Sequence, residues 1–170
     1  MFLIFIKNDN IFGVIRFNKM KRGIKKIVRQ LPGFTSYCEC VKLCSNMEVE
    51  HVVPKSFLKK VLINGKFNQA NNDMHNLFRC CSRINSQKGA GLLGVDWDAG
   101  SHNSYLARSA LYMDWKYGLE IPDYLLMEWK LMALEIEPLE FEYERNNIIS
   151  SHQGNDNVFI TEFPGSIIYY

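Results

Sequence analysis

Apolar residues in the first part of the chain follow a strand-like pattern and then a helical one. Residues 2–6 and 11–17 are β-prone runs on either side of a turn signal at residues 8–10. Over residues 19–31 the apolar positions recur at helical spacing, and Pro32-Gly33 stops that pattern. We therefore predict two short strands followed by a basic helix.

The remainder of the chain predicts one further strand and several helices. Residues 47–54 alternate in polarity and are rich in β-branched side chains, which indicates a strand ending at Pro54. Apolar residues at positions 74, 77, 81 and 84 predict a single helix that Asp73 caps and Gly89 ends. Similar patterns predict helices over residues 105–117, 121–134 and 142–151, followed by a loop-rich tail over residues 154–170. With no repeat or linker to divide it, the chain is predicted to be one α+β domain.

The charge is small in sum but uneven along the chain. The net charge of +2 is too small to indicate a nucleic-acid-binding protein by itself. However, residues 11–37 contain seven basic side chains and no acidic one, whereas acidic residues concentrate over residues 135–144. Such a polarised charge can steer a polyanion to one face, although a solvated helix face gives the same pattern.

The five cysteines and the N-terminus together favour an intracellular protein. An odd number of cysteines (Cys38, Cys40, Cys44, Cys80 and Cys81) leaves one unpaired thiol, which is typical of a reducing compartment. The apolar run at residues 2–6 is shorter than the roughly 7–15 residues of a signal-peptide core. No stretch approaches the roughly 18 apolar residues of a membrane span, so we expect no membrane contact.

Three residues suit the hydrolysis of a phosphodiester bond. That reaction needs a base to take a proton from water, for which a neutral histidine such as His51 is suited. It also needs a cation to neutralise charge on the phosphate and the leaving oxygen, and Glu50 and Asn85 offer the hard oxygen ligands of Mg²⁺. Because neighbouring residues of a regular strand point to opposite faces, Glu50 and His51 share a site only if the strand bends there.

Several short motifs, taken in order, resemble the endonuclease I family of ββα-metal nucleases, which are HNH-like (His-Me finger) enzymes. Glu50-His-Val-Val-Pro54 is similar to the catalytic strand of that family. The other similar motifs are residues 73–77 with 84–86, residues 107–108 with 112–113 and 117, and residues 142, 144–146, 153–155 and 157–160. Together they lie within residues 47–160, which is most of the chain.

The resemblance implies a fold. It is a ββα-metal finger core, a hairpin plus a helix, embedded in a mainly helical single domain. Residues 1–46, which lie outside the resemblance, are predicted from their own pattern to form N-terminal strands and a basic helix packing on the core. Residues 47–160 would form the nuclease domain, and residues 161–170 a C-terminal tail.

The resemblance also implies a function and roles for single residues. The chain would be a monomeric, metal-dependent endonuclease that hydrolyses DNA, and RNA as a second substrate, with low sequence specificity and 5′-phosphate ends. His51 would be the general base, and Glu50 and Asn85 would bind one Mg²⁺, with Mn²⁺ or Ca²⁺ as structural substitutes. Asn76 would brace the hairpin, and Asp73 and His75 would have structural roles.

The positively charged contacts to the substrate are less well defined. The arginine that the family uses on the phosphate cannot be placed, because residues 59–72 do not match it residue by residue. Arg79 and Arg83 are candidates by position. The candidates for nucleic-acid binding are the basic residues of the predicted N-terminal helix: Lys19, Lys21, Arg22, Lys25, Lys26 and Arg29.

Two alternative functions stay open. A catalytically inactive nucleic-acid-binding module would keep the basic segment and the scaffold without turnover. A zinc-stapled interaction protein would hold a structural Zn²⁺ with thiolates from the two cysteine groups. The cysteine spacing disfavours that site, because adjacent cysteines seldom ligate together and no Cys-x-x-Cys pair is present, so we expect buried thiols. Bacterial members of the family are exported and disulfide-bonded, which departs from the intracellular prediction.

Overall fold

The computed structural model describes residues 23–32 and 46–170 of the chain. The helices and strands in chain order are α1 (residues 23–28), β1 (Met47–His51), α2 (Lys55–Val61), α3 (Asn64–Ala70), β2 (Leu77–Cys81), α4 (Ser82–Lys88), α5 (Asn103–Tyr117), α6 (Asp123–Glu135), α7 (Glu140–Gln153), α8 (Val158–Thr161) and α9 (Gly165–Tyr169). Two 3₁₀ turns, Met74–Asn76 and Gly100–His102, precede β2 and α5. None of the helices among the described residues is long and apolar enough to span a bilayer.

A two-stranded antiparallel sheet and the helix that follows it form the centre of the fold. In β1 and β2, Glu50 lies opposite Phe78 and His51 opposite Leu77. Helix α4 starts directly after β2 and contacts both strands. The predicted α+β class, with a hairpin plus a helix inside a mainly helical chain, is therefore confirmed.

The single helix predicted from Asp73 to Gly89 is wrong. Met74–Asn76 is a 3₁₀ turn, Leu77–Cys81 is strand β2, and the helix begins only at Ser82. Four of the five β2 residues are buried, because both faces of the strand are covered. A short, continuously apolar run of this kind does not distinguish a strand from a helix by its periodicity. Arg79 therefore lies on β2, and only Arg83 shares a helix with Asn85.

Other predicted elements agree more closely with the structure. The helices predicted over residues 105–117, 121–134 and 142–151 are confirmed as α5, α6 and α7. The tail is more ordered than predicted, because Asn157 caps α8 by accepting a hydrogen bond from the Phe159 N–H at 3.0 Å, and α9 follows. The described part of the predicted basic helix is helical over residues 23–28. The strands predicted at residues 2–6 and 11–17 lie outside the described residues.

Helix α5 lies in the middle of the main hydrophobic core. Twelve of its fifteen residues are buried, and its closest packing partner is α6, which buries Leu125, Trp129 and Ala133. A second, smaller cluster joins Val28 and Leu31 to the start of β2 and to α7. The main core therefore supports one face of the hairpin, and the segment around α1 covers the other.

A buried ion pair connects α5 to α7. Arg108 donates to both carboxylate oxygens of Glu142, from Nε at 2.8 Å and from Nη2 at 2.6 Å. Its Nη1 donates to the carbonyl oxygens of Ala133 and Ile136 at the end of α6. Glu142 also accepts from the N–H of Leu139 at 3.0 Å and so caps α7. Because the charges are paired and hydrogen-bonded, their burial is tolerated.

Glu142→Ala should lower the free energy of unfolding by about 3–5 kcal/mol, because it leaves the Arg108 guanidinium buried without a counter-charge. Urea unfolding followed by circular dichroism measures this change. Glu144→Ala, at an exposed position of the same helix, is the matched control and should change stability by less than about 0.5 kcal/mol. Equal stability of the two variants would contradict the structural role of the pair.

Candidate active site

The two faces of β1 carry different chemistry. Glu48 and Glu50 face α4, where the Asn85 Nδ2 donates to Glu48 Oε2 at 2.7 Å and Lys88 Nζ contacts Glu50 Oε1 at 2.8 Å. Val49, between them, packs instead against the cluster that contains α1 residues. His51 continues the Val49 face by the alternation of the strand. The structure thus separates Glu50 and His51 onto opposite faces of β1.

The chain turns sharply after His51, and Asn76 holds it there. The Val52 N–H donates to the Asn76 carbonyl at 2.9 Å. The Val53 N–H donates to Asn76 Oδ1 at 2.8 Å, and Asn76 Nδ2 donates back to the Val53 carbonyl at 3.1 Å. The Asn76 side chain, fully buried, therefore braces the end of β1 against the turn before β2.

The His51 imidazole is held in one orientation by a backbone group. Its Nε2 lies 3.0 Å from the carbonyl oxygen of Asn71. Since a carbonyl can only accept, Nε2 carries the hydrogen and Nδ1 of the neutral ring has a free lone pair. Burial lowers the pKa of His51 below its usual value, and this outweighs the Asn71 hydrogen bond, which raises it; positive charge on Lys55, Lys88 and Lys25 lowers it further. The ring is therefore neutral near pH 7 and able to accept a proton.

A small cavity of about 140 Å³ lies beside His51. Lys25 of α1 and Lys55 of α2 line it, and none of the described residues in its wall is acidic. Asn71 and Asn72 also line it, and the buried Asn71 Oδ1 has no hydrogen-bond partner among the described residues. A buried polar atom without a partner is unusual in a folded protein. The cavity is thus positively charged, and one residue of its wall carries a buried oxygen without a hydrogen-bond partner among the described residues.

Glu50 and Lys88 form a buried ion pair at the centre of the hairpin-helix contact. Burial raises the pKa of the Glu50 carboxyl, and the neighbouring Lys88 ammonium opposes that effect. Lys88 Nζ also donates to the carbonyl oxygen of His51 at 3.0 Å. Lys88 therefore ties the last turn of α4 to both residues at the end of β1.

Glu48, which sequence reasoning missed, belongs to the same group as Glu50 and Asn85. Both carboxylates and the Asn85 amide lie where α4 packs on β1, although the hydrogen bonds pair Asn85 with Glu48 and Glu50 with Lys88. The alternation of the strand could have revealed Glu48, because residues 48 and 50 of one strand point to the same face. Oxygen donors of this type fit Mg²⁺, which is commonly held by one or two carboxylates and several waters. Among the described residues no group of three or more His, Cys, Asp and Glu side chains converges as a metal cage.

Asp73 is the acceptor in a cluster of hydrogen bonds next to the hairpin. Its Oδ2 accepts from the hydroxyls of Tyr112 and Tyr117 at 2.9 and 2.8 Å and from Lys116 Nζ at 2.9 Å. Its Oδ1 accepts from Gln153 Nε2 at 2.9 Å and from the N–H of His75 at 3.0 Å. Burial would raise the pKa of Asp73, but the surrounding charges and hydrogen bonds outweigh it and hold the pKa below its usual range. Asp73 and His75 therefore connect the hairpin to α5 and to the end of α7.

The arginines near the hairpin lie in three different environments. Arg79 lies opposite Val49, on the His51 side of the sheet, and its Nη1 donates to the Arg29 carbonyl at 3.3 Å. Arg83 is exposed on α4. Arg145, which the sequence did not single out as a site residue, is buried beneath β2 and donates to the carbonyls of Met74 and Leu77. Its burial lowers its pKa to about 9.

The basic candidates of the N-terminal helix are only partly described. Lys25, Lys26 and Arg29 are exposed, and Lys25 reaches the cavity beside His51. Lys19, Lys21 and Arg22 lie outside the described residues.

The two neighbouring cysteines of β2 differ in state. Cys81 is disulfide-bonded, whereas Cys80 is buried and keeps a thiol, which donates to the Cys81 carbonyl oxygen at 3.5 Å. A disulfide sulfur is not a thiolate, so Cys81 does not offer the ligand that a zinc staple across the two cysteine groups would need. The expectation of buried thiols throughout is wrong for Cys81. Cys38, Cys40 and Cys44 lie outside the described residues.

Comparison with known proteins indicates a distant relationship to a nuclease. The chain is similar to an extracellular deoxyribonuclease of Aeromonas hydrophila, with 28% identity over 152 residues. That alignment covers 68% of this chain and 65% of the relative, so the chain spans slightly less than two thirds of the relative's length. No protein-family model matches the chain. The intracellular location and the monomeric state stay predictions.

Stability should fall as the pH drops from about 6.5 to about 4, because burial lowers the pKa of His75 from 6.5 to about 4. Between these pH values His75 is protonated in the unfolded chain but not in the folded chain. The free energy of unfolding therefore begins to fall once the pH is below the pKa of the unfolded chain. Urea unfolding at several pH values measures the slope. His75→Gln should flatten it, and exposed His152→Gln, the control, should behave as the wild type. A wild-type stability that does not change between pH 7 and 5 would contradict this assignment.

Proposed function

We propose that the chain is a metal-dependent endonuclease that hydrolyses phosphodiester bonds of DNA, with RNA as a second candidate substrate. The observation that carries this proposal is the His51 ring, which is held by the Asn71 carbonyl and exposed to a positively charged cavity. The oxygen donors on the other face of β1 support it, as does the similarity to a deoxyribonuclease. We further propose membership of the endonuclease I family, supported by the way its separate motifs meet around Asp73 and the hairpin.

In this mechanism His51 acts as the general base. A water molecule gives one proton to Nδ1 of His51 as its oxygen forms a bond to phosphorus. The bond from phosphorus to the 3′-oxygen breaks, and that oxygen takes a proton from solvent. The products are a 5′-phosphate and a 3′-hydroxyl. The Asn71 carbonyl stabilises the imidazolium formed in this step, because it accepts the hydrogen on Nε2.

Glu50 and the Asn85 amide oxygen would hold one Mg²⁺. When bound, the ion would neutralise charge on the phosphate and on the leaving oxygen. The Lys88 ammonium contacts Oε1 of Glu50, which leaves Oε2 for a cation. For His51 and these oxygen donors to act on one phosphate, that phosphate would have to lie beyond the last residue of β1, where the strand no longer separates its two faces.

Lys25 and Lys55 would provide contacts to the nucleic-acid backbone. Both line the cavity beside His51, and ammonium groups bind phosphates without reading the base sequence. This fits cleavage with low sequence specificity. The two lysines also supply positive charge on the His51 face of β1, where no arginine has been assigned the phosphate-binding role that the family gives to one.

A nucleic-acid-binding module without catalysis is the second candidate function. The Glu50–Lys88 ion pair favours it, because a carboxylate already paired with an ammonium group binds a divalent cation more weakly than an unpaired one. Salt-sensitive DNA binding with no product at any Mg²⁺ concentration would support this alternative over the nuclease.

His51→Ala should reduce the rate of plasmid cleavage by about 10²–10⁴-fold, the contribution typical of a general base. Conversion of supercoiled plasmid to nicked and linear forms in Mg²⁺ measures this rate, and EDTA should stop it. His152→Ala, which removes an exposed histidine, is the control and should cut as fast as the wild type. Undiminished cutting by His51→Ala would rule out His51 as the base.

Lys25→Ala and Lys55→Ala should each weaken DNA binding and reduce the slope of log K against log salt by about 1, the effect of one lost phosphate contact. Anisotropy of a labelled duplex, titrated in EDTA over a KCl series, measures both effects. Lys130→Ala on α6, whose side chain does not line the cavity, is the control. Unchanged slopes for both cavity lysines would show that the DNA does not enter there.

A further inference from the structure

The hydrogen bond between Glu48 and Asn85 defines how the Asn85 amide is turned. Asn85 Nδ2 donates to Glu48 Oε2 at 2.7 Å across the gap between α4 and β1. An ionised carboxylate has no hydrogen to donate, so only the NH₂ end of the amide can face Glu48. The Oδ1 end is then on the other branch of the amide, away from Glu48 and available to a cation.

An asparagine without such a partner presents either end of its amide to a neighbouring site. The two orientations differ by a half-turn of one side-chain bond, and the NH₂ end repels a cation whereas the oxygen end binds it. Residues that orient a metal ligand by a hydrogen bond to its side chain typically raise metal affinity by about 10–100-fold. Glu48 is exposed and makes its side-chain contact with the residue that would bind the ion.

We propose that Glu48 is a positioning residue that holds Asn85 with its amide oxygen towards the divalent cation. This inference rests on the proposed function, in which Asn85 is a cation ligand. It assigns Glu48 the role of a hydrogen-bond acceptor. This role differs from two others that a carboxylate at this position can have, which are direct ligation of the cation and a general effect of negative charge.

The test compares Glu48→Gln with Glu48→Ala in the full chain. Glutamine keeps an acceptor oxygen for Asn85 Nδ2 but removes the charge, whereas alanine removes both. Calorimetric titration with MnCl₂ in the absence of DNA should show affinity reduced by about 10–100-fold in Glu48→Ala and by less than about 5-fold in Glu48→Gln. Glu135→Ala, which removes an exposed carboxylate from the end of α6, controls for net charge and should bind as the wild type.

Cleavage assays separate positioning from loss of structure. In Glu48→Ala the Mg²⁺ concentration for half-maximal cutting should rise, while the rate at saturating Mg²⁺ should stay close to that of the wild type. Circular dichroism should be unchanged, because the side chain is exposed. Adding Glu48→Ala to Asn85→Ala should weaken MnCl₂ binding no further, since the residue to be positioned is already gone.

Three results would overturn the proposal. Equal losses in Glu48→Gln and Glu48→Ala would mean that Glu48 acts by its charge or as a ligand. Unchanged MnCl₂ affinity in Glu48→Ala, or an additive loss in the Asn85→Ala background, would mean that it does not position Asn85. A wild-type chain that neither binds MnCl₂ nor cuts DNA would instead refute the proposed function, and this inference with it.

Discussion

The paired hydrogen bonds between the Asn76 amide and the backbone of Val53 are the interaction on which the site depends. Buried backbone groups need partners, and an asparagine amide offers one acceptor and one donor in the arrangement that a neighbouring strand would offer. Because Val52 and Val53 bond to Asn76, β1 ends at His51 and the chain leaves the sheet there. The 3₁₀ turn that contains Asn76 begins three residues after Asn71, whose carbonyl orients the His51 ring.

The end of β1 also bears on the proposal that Glu50 and His51, which are neighbours in sequence, act on one phosphate. Regular alternation keeps Glu50 on the α4 side and His51 on the α1 side. The two residues can act on one group only beyond the last residue of the strand, where no further backbone separates the faces. Lys88 reinforces this arrangement because its ammonium contacts both Glu50 Oε1 and the His51 carbonyl.

Buried charges connect parts of the chain that are distant in sequence. Asp73 accepts hydrogen bonds from α5 and from the end of α7, Arg108 joins α5 to Glu142, and Arg145 holds the turn before β2. A buried charge is costly unless its partners are present, so each of these groups stabilises one specific arrangement of the helices. These polar contacts therefore hold the hairpin against the helices. Of the residues proposed to carry the chemistry, Glu50 also contributes to this packing through its buried ion pair with Lys88.

The sequence by itself determined the α+β class, the helices α5, α6 and α7, and the chemical character of Glu50, His51 and Asn85. It also predicted the strand that begins at Met47, but β1 ends at His51 and not at Pro54 as predicted. These follow from local patterns, because helical periodicity and residue type are readable over a few turns of chain. Only the tertiary structure decided that Leu77–Cys81 is a strand, since a run buried on both faces has no distinguishing period. It also decided that Glu48 and Lys88 join the site, that Asn71 orients His51 and that Lys25 and Lys55 meet in one cavity. Those contacts join residues of separate helices and strands, so they depend on how these elements pack. The spacing of residues within one segment does not contain that information.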